Sequence, residues 1–275
     1  MKAQITLTVN EAKRIIAKGL ARHPAVQKAF KRGRILLKGG TTVSALAEEL
    51  TGRPMRISGR ISPLGTKTGK DFSGGFHMAI IEKEELKDAE DSLVDIVSSL
   101  RGDDVAVTGA NAIDVHGNAA LMYGAPIGGG PGIIISGLMA EIPNVFVAAG
   151  LEKLVPGSLT DIIPKVARKG IRRSMGMAVG LTPISGQIVS ENHAVELLAP
   201  VKCTVIGRGG ILGAEGATTL LIEGEAGDVE RVFEQARQIK GSEISGTTAS
   251  LAECAFPHDK CKEHLACIYK NTKSL

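Results

Sequence analysis

The 275-residue sequence contains no tryptophan, and Phe and Tyr bring its aromatic share to only 3%. So small a supply argues against base-stacking platforms, and a net charge of +4 is too weak for the footprint of a nucleic-acid binder. No apolar run approaches the ~18–20 residues that span a bilayer. The N-terminal stretch carries Lys2, Lys13, Arg14, Lys18 and Arg22 without a continuous apolar segment, which argues against a signal peptide. These absences predict a soluble, cytoplasmic protein with no nucleic-acid or membrane partner. In that compartment its four cysteines are reduced thiols.

What is present is a large apolar share, 43%, against 23% charged residues, enough for a sizeable core. The length suits one large domain, or one domain plus a small one. Glycine is abundant at 34 residues and clusters at Gly39–Gly40, Gly74–Gly75, Gly128–Gly130 and Gly207–Gly210, each after an apolar run. Alternating α/β chains place such turns at the carboxyl ends of strands, where ligands bind.

Thr8 and Glu11 have capping-box spacing before a helical stripe of Ala12, Ile15, Ile16 and Leu20, and a second short helix follows Pro24. Strands are predicted at 34–38, 55–61, 77–81, 105–108, 119–123 and 144–149. Helices are predicted between them at 42–50, 84–100, 131–141 and 159–169. Alternation of this kind implies an α/β fold with a mostly parallel open sheet and flanking helices. From about residue 175 the segments are short and β-prone, at 175–181, 184–189 and 194–198. Two strands (201–206 and 217–223) and a helix (228–240) follow. The division predicted is a ligand-binding domain over 1–175, a small α+β subdomain over 176–245, and a Cys/His-containing tail over 246–275. The glycine-rich turn 207–216 reads as a lid, an oligomer contact or a flexible connection, and a homo-oligomer is left open.

In "KGGTTVSALAEEL" (Lys38–Leu50) a strand runs through Gly39, Gly40, Thr41 and Thr42 into a helix, and Ser44 lies one turn in. Hydroxyls and free N–H groups at such a start suit a phosphate, or form a tight turn with a Thr cap. A second landmark, Asp103–Gly132, holds "TGANAIDVHGN" and the triple glycine Gly128, Gly129 and Gly130 before a helix. Together the two stretches resemble the superfamily of ribose-5-phosphate isomerase, glucosamine-6-phosphate deaminase and the CoA transferases. The resemblance runs over roughly residues 12–169. It implies a sugar-phosphate or CoA-thioester ligand cradled by Gly39–Ser44, Asn111–Asp114 and Gly128–Gly130. Against the isomerase pattern, Thr108 and Asn111 stand where aspartates belong, Ile127 stands for a lysine, and the glutamate near Ser136 is missing. A proton shuttle at a sugar carbon needs a carboxylate base. The resemblance therefore implies a binding site, in a divergent enzyme or a sensor.

Asp114 remains as a candidate base or hydroxyl-orienting group, or as ordinary turn chemistry in Asp-Val-His-Gly-Asn. In the polar stretch 65–77, Lys67 and Lys70 are candidates to close on phosphate. "SENH" (Ser190–His193) is similar to the Ser-Glu-Asn-Gly of CoA transferases, which makes Glu191 a candidate nucleophile for an acyl-CoA transferase or hydrolase. In the tail, Cys254, His258, Cys261, His264 and Cys267 are thiol and imidazole groups of the kind that hold Zn²⁺ or an Fe–S cluster. The alternative for that segment is an amphipathic helix after Pro257 packed on the body.

Overall fold

The computed structural model describes residues 1–70, 74–254 and 259–271. The chain opens with a strand that the hydropathy pattern did not announce, β1 (Lys2–Leu7), in which only Ile5 and Leu7 turn inward. Thr8 then caps α1 (Val9–Arg22): its hydroxyl accepts the Glu11 N–H while the Glu11 carboxylate accepts the Thr8 N–H. His23 and Pro24 start α2 (Pro24–Arg32), the imidazole accepting the Ala25 N–H. Strand β2 (Arg34–Lys38) passes through Gly39–Gly40 into α3 (Thr41–Thr51).

The strand predicted at 55–61 is shorter and displaced. It forms as β3 (Gly59–Ser62), paired antiparallel with β4 (Gly65–Thr68). The helix predicted over 84–100 is replaced by a hairpin and a short helix. Lys83 and Glu84 both hold positive φ, 52° and 64°, and make a tight turn between β5 (Met78–Glu82) and β6 (Glu85–Asp88). Only α4 (Leu93–Ser98) is helical there.

Strands β7 (Val105–Thr108), β8 (Ala112–Ile113) and β9 (Ala119–Tyr123) precede α5 (Gly129–Glu141) and β10 (Val145–Ala148). Helix α6 (Leu159–Ile162) is four residues long and gives way to a 3₁₀ turn at Ile163–Lys165, because Pro164 cannot continue an α-helical ladder. Next come β11 (Gly180–Ile184) and β12 (Gln187–Val189). The segment predicted as β-prone at 194–198 is helical instead, within α7 (Glu191–Leu198). Strands β13 (Lys202–Gly209) and β14 (Ala217–Glu223) and helix α8 (Ala226–Gln238) follow.

The largest sheet has the order β12-β10-β7-β2-β5-β6. Its first four strands are parallel, and β5 and β6 add to the edge antiparallel. The expectation of a mostly parallel sheet is thus corrected. The fold is mixed α/β, and the smaller sheets β1-β14-β13, β11-β9-β8 and β3-β4 are antiparallel throughout. The physical reason is local. Hairpin connections of a few residues join β5 to β6 and β3 to β4, and such connections admit only antiparallel pairing.

The parallel strands are covered on both faces. Ile35 and Leu37 face a core with Ile15, Ile16, Leu46 and Val195 from α1, α3 and α7, while Leu36 faces Ile135 and Leu138 of α5. The first core continues through Ile5 and Leu7 to Leu220, Ile222, Val229 and Val232, so residues 202–239 share their interior with the N-terminal elements. The tail lies along β4 and the segment before β11. The N–H of Cys254 donates to Thr68, that of Ser174 to Ala266 and that of Ala178 to Leu265. Its described part contains 3₁₀ turns at Asp259–Lys262 and Ile268–Asn271, and the amphipathic helix expected after Pro257 does not form there. Among the described residues no helix is long and apolar enough to cross a membrane.

Gly19 sets how closely α1 and α7 approach. A Cβ there would lie 2.7 Å from the Ala194 Cα and carbonyl oxygen. On an exposed helix, Gly→Ala gains roughly 1 kcal/mol. Here the clash with backbone outweighs that gain, and Gly19→Ala is expected to lower stability by about 1–3 kcal/mol in urea unfolding. A stabilised variant would show that the two helices are not locked at this distance.

Candidate functional site

Because β2, β7, β10 and β12 run parallel, the loops after Lys38, Thr108, Ala148 and Val189 all leave from one edge of the sheet. The two glycines after β2 have different duties. A Cβ on Gly39 would stand 2.5 Å from the His77 carbonyl oxygen and 2.6 Å from its Nδ1, so the neighbouring strand requires glycine there. A Cβ on Gly40 would meet nothing within 4 Å. Gly40 is the N-cap of α3, and no side chain makes a capping hydrogen bond to that helix. Thr42 is almost fully buried in the first turn, and its hydroxyl has no hydrogen-bond partner among the described residues. Ser44 is committed elsewhere: its hydroxyl accepts the Met55 N–H at 2.9 Å and the Ser245 hydroxyl at 2.7 Å.

Lys153 acts electrostatically on two other lysines, Lys38 and Lys13. Lys38 ends β2, Lys153 ends the 3₁₀ turn Leu151–Lys153 after β10, and Lys13 comes from α1. Burial pushes the Lys38 ammonium down to about 8, and the charge of Lys153 adds to the effect. Lys13 is pushed to about 8 by burial, with Glu152 opposing and Lys153 assisting. Lys153 is lowered by burial, against the pull of Glu152 and Glu191. Among the described residues the only close ion pair of the three is Lys153 with Glu152, at 3.9 Å. One Glu152 carboxylate oxygen is buried without a hydrogen-bond partner among the described residues. Beside them His77 is pushed down to about 4, by burial first and by Lys38 second. Its neutral ring donates from Nδ1 to the Arg56 carbonyl at 3.3 Å. Lys38 shares a small apolar pocket with Leu36, Met78, Val107, Ile134, Ile135 and Leu138, which sets the middle of α5 over this lysine. Gly128 and Gly129, at φ 78° and 67°, turn the chain into α5, and a Cβ on Gly130 would again meet open space.

The edge also holds Glu191, but in a structural position. It is 1% exposed, accepts the Leu151 N–H at 2.8 Å, and takes the Thr218 hydroxyl at 3.3 Å. Burial raises its pKa against these hydrogen bonds. Asn111 ties the hairpin after β7, its carbonyl oxygen accepting the Met122 N–H. Asp114 is saturated: it accepts N–H groups from His116, Asn118 and Leu159 and the Asn118 side-chain amide, at 2.8–2.9 Å.

Lys67 is not in an open loop. It is 1% exposed in β4, with its ammonium 4.7 Å from the Tyr269 ring centroid. Lys70 is exposed, and its N–H donates to the Ala252 carbonyl. Cys254 and His264 are buried and Cys261 and Cys267 partly so; His258 lies outside the described residues. No three His, Cys, Asp or Glu side chains among the described residues are grouped to hold a metal ion.

Sequence reasoning missed Lys13, Lys38, Glu152, Lys153 and His77. A weak signal existed in "AAGLEK" (Ala148–Lys153), another strand end with a glycine, and in the lysine that opens "KGGTT". Lys13 could not be placed without the tertiary fold. Comparison with protein-family models, with curated proteins and with solved structures returns no match for this chain.

For Asp114, burial raises the pKa, but the Asn118 amide and the three N–H donors outweigh it and hold the carboxyl at about 2, below its ordinary 3.8. Its stabilising contribution is therefore complete above about pH 4 and fades as pH falls toward 2. Asp114→Ala is expected to cost about 2–3 kcal/mol at pH 7, from buried N–H groups left unpaired. Urea titrations from pH 7 to 3 should show the gap to the unsubstituted protein narrowing only in acid. A gap of nearly zero at pH 7 would remove Asp114 from the structural framework.

Proposed function

We propose that this chain binds a phosphorylated small molecule at the carboxyl edge of the parallel strands, with its phosphate over the first turn of α3. The observation that carries this reading is that Lys153 lies close enough to act on both Lys38 and Lys13, while among the described residues the three make a single ion pair, Lys153 with Glu152. Like charges repel, and burying them without counter-ions is unfavourable unless an anion completes the site. Open space at Gly40 and an uncapped helix start supply N–H donors in the same place.

This reading keeps the phosphate-binding part of the resemblance to ribose-5-phosphate isomerase and the sugar-phosphate deaminases. It draws no acid–base step from Asp114, whose acceptor positions are occupied. A CoA ester enters the same reading through its phosphates. A thioester attack by Glu191 is not favoured, because that carboxyl is enclosed and its protonated form is stabilised.

A thermal-shift series tests the proposal with inorganic phosphate, ribose 5-phosphate, glucosamine 6-phosphate and acetyl-CoA, with unphosphorylated sugars as controls. At 100 times its Kd a ligand stabilises by about 2.7 kcal/mol. Gly40→Ala should fold as well as the unsubstituted protein, since its Cβ meets open space, and should lose the shift. Lys153→Ala should weaken binding and flatten its salt dependence. If no phosphorylated compound shifts the melting temperature, or if Gly40→Ala responds undiminished, the proposal fails.

A further inference from the structure

The three lysines are not equivalent, and the difference has a chemical meaning. Lys153 has Glu152 at 3.9 Å and feels Glu191. Lys13 feels Glu152. Among the described residues Lys38 alone has no carboxylate acting on it; the titratable groups it faces are Lys153 and, across the β2–β5 pairing, a neutral His77. Its stem is clamped between the sheet and α5 in the apolar pocket, and it stands two residues before the open space at Gly40. An amine fixed at the end of a rigid strand, beside an anion cradle and without a carboxylate partner, is placed to attack a ligand rather than to pair with one.

Resting on the phosphate-site reading above, we propose that Lys38 forms an imine with the carbonyl carbon of a phosphorylated aldehyde or ketone. The Nζ lone pair attacks the carbonyl carbon, and the C–O π pair moves to oxygen, which takes a proton from solvent. Nitrogen then releases a proton to give a carbinolamine. Protonation of its hydroxyl lets one water depart with the C–O bonding pair while the nitrogen lone pair closes the C=N bond, and the iminium nitrogen then returns a proton to solvent. The sum is amine plus carbonyl giving imine plus water, with no oxidant or reductant. The phosphate is held by Lys13, Lys153 and the start of α3. A ligand phosphate near Lys38 favours its ammonium form, so capture proceeds from the fraction of amine that is neutral when the ligand arrives. With its pKa near 8, Lys38 offers that fraction at neutral pH. An amine with the ordinary value of about 10.5 has roughly two-hundred-fold less neutral form at pH 7.5.

The test uses pyridoxal 5′-phosphate, a phosphorylated aldehyde, with sodium borohydride to reduce the imine and peptide mass mapping to locate it. The expected result is about one equivalent per chain on Lys38, formed faster as pH rises toward 8, suppressed by inorganic phosphate, and at least several-fold weaker with unphosphorylated pyridoxal. Lys38→Arg should abolish the adduct, whereas Lys31→Arg, at an exposed lysine, should leave it in place. Modification confined to exposed lysines such as Lys31 and Lys83, or placed on Lys13 or Lys153 with Lys38 untouched, would overturn the proposal. A phosphate shift that persists in that case would leave the anion site standing without its amine chemistry. Loss of both phosphate protection and phosphate shift would instead overturn the underlying site.

Discussion

Like-charge crowding at the end of a buried sheet is the constraint on which the rest of this structure turns. Lys153 acts on both Lys13 and Lys38 at one strand-end edge, and among the described residues one carboxylate, Glu152, stands within ion-pair reach of Lys153. Such crowding opposes folding, so it has to be held by interactions elsewhere. The holding elements are visible. Lys38 is fixed by β2, whose side chains are buried on both faces of the sheet, and by α5 above its stem. Lys13 is fixed by α1, which is locked to α7 at Gly19 and Ala194. Lys153 is fixed by a 3₁₀ turn whose first N–H is taken by the enclosed Glu191. The stability of two apolar cores is thereby used to maintain an electrostatically strained edge.

The adjacent glycines show how one sequence feature can have two causes. Gly39 is needed because His77 and Arg56 approach from the neighbouring strand and leave no room for a Cβ. Gly40 has room on every side. A structural turn explains the first; packing places no such demand on the second. "KGGTT" is therefore both a turn forced by packing and an open helix start.

Much of the framework was legible where local signals and tertiary demands agree. The Thr8–Glu11 capping box, the β2–α3 unit, the buried strands at 105–108 and 145–148, and the helix with Val229, Val232 and Ala236 inward all have strong periodicity or capping chemistry. The failures occur where pairing partners are distant or turns overrule propensity. β1 exists because β14 pairs with it across more than two hundred residues. β6 exists because two residues at positive φ fold it back on β5. Candidate residues were found by type, so Ser44 and Lys67 were read as ligand-binding, and Asp114 as a base beside its turn-chemistry alternative, although the fold engages each of them. The lysines of the strand-end edge were overlooked because a lone lysine has no motif; only the topology makes three of them neighbours.

That contrast also bears on what kind of chemistry the edge can perform. The carboxylates that a sugar-phosphate isomerase would use as bases are absent or engaged: Asp114 holds a turn and Glu191 holds a loop. What remains reachable is amines, hydroxyls and backbone N–H groups. These are groups that receive negative charge, and one of them, Lys38, lacks the carboxylate contact that would fix it as a cation. If the edge binds an anion as proposed, these donors are the groups that would meet it, and Glu152 is the described carboxylate beside them that the fold does not saturate. Among the candidate acids, Asp114 and Glu191 instead stabilise the scaffold.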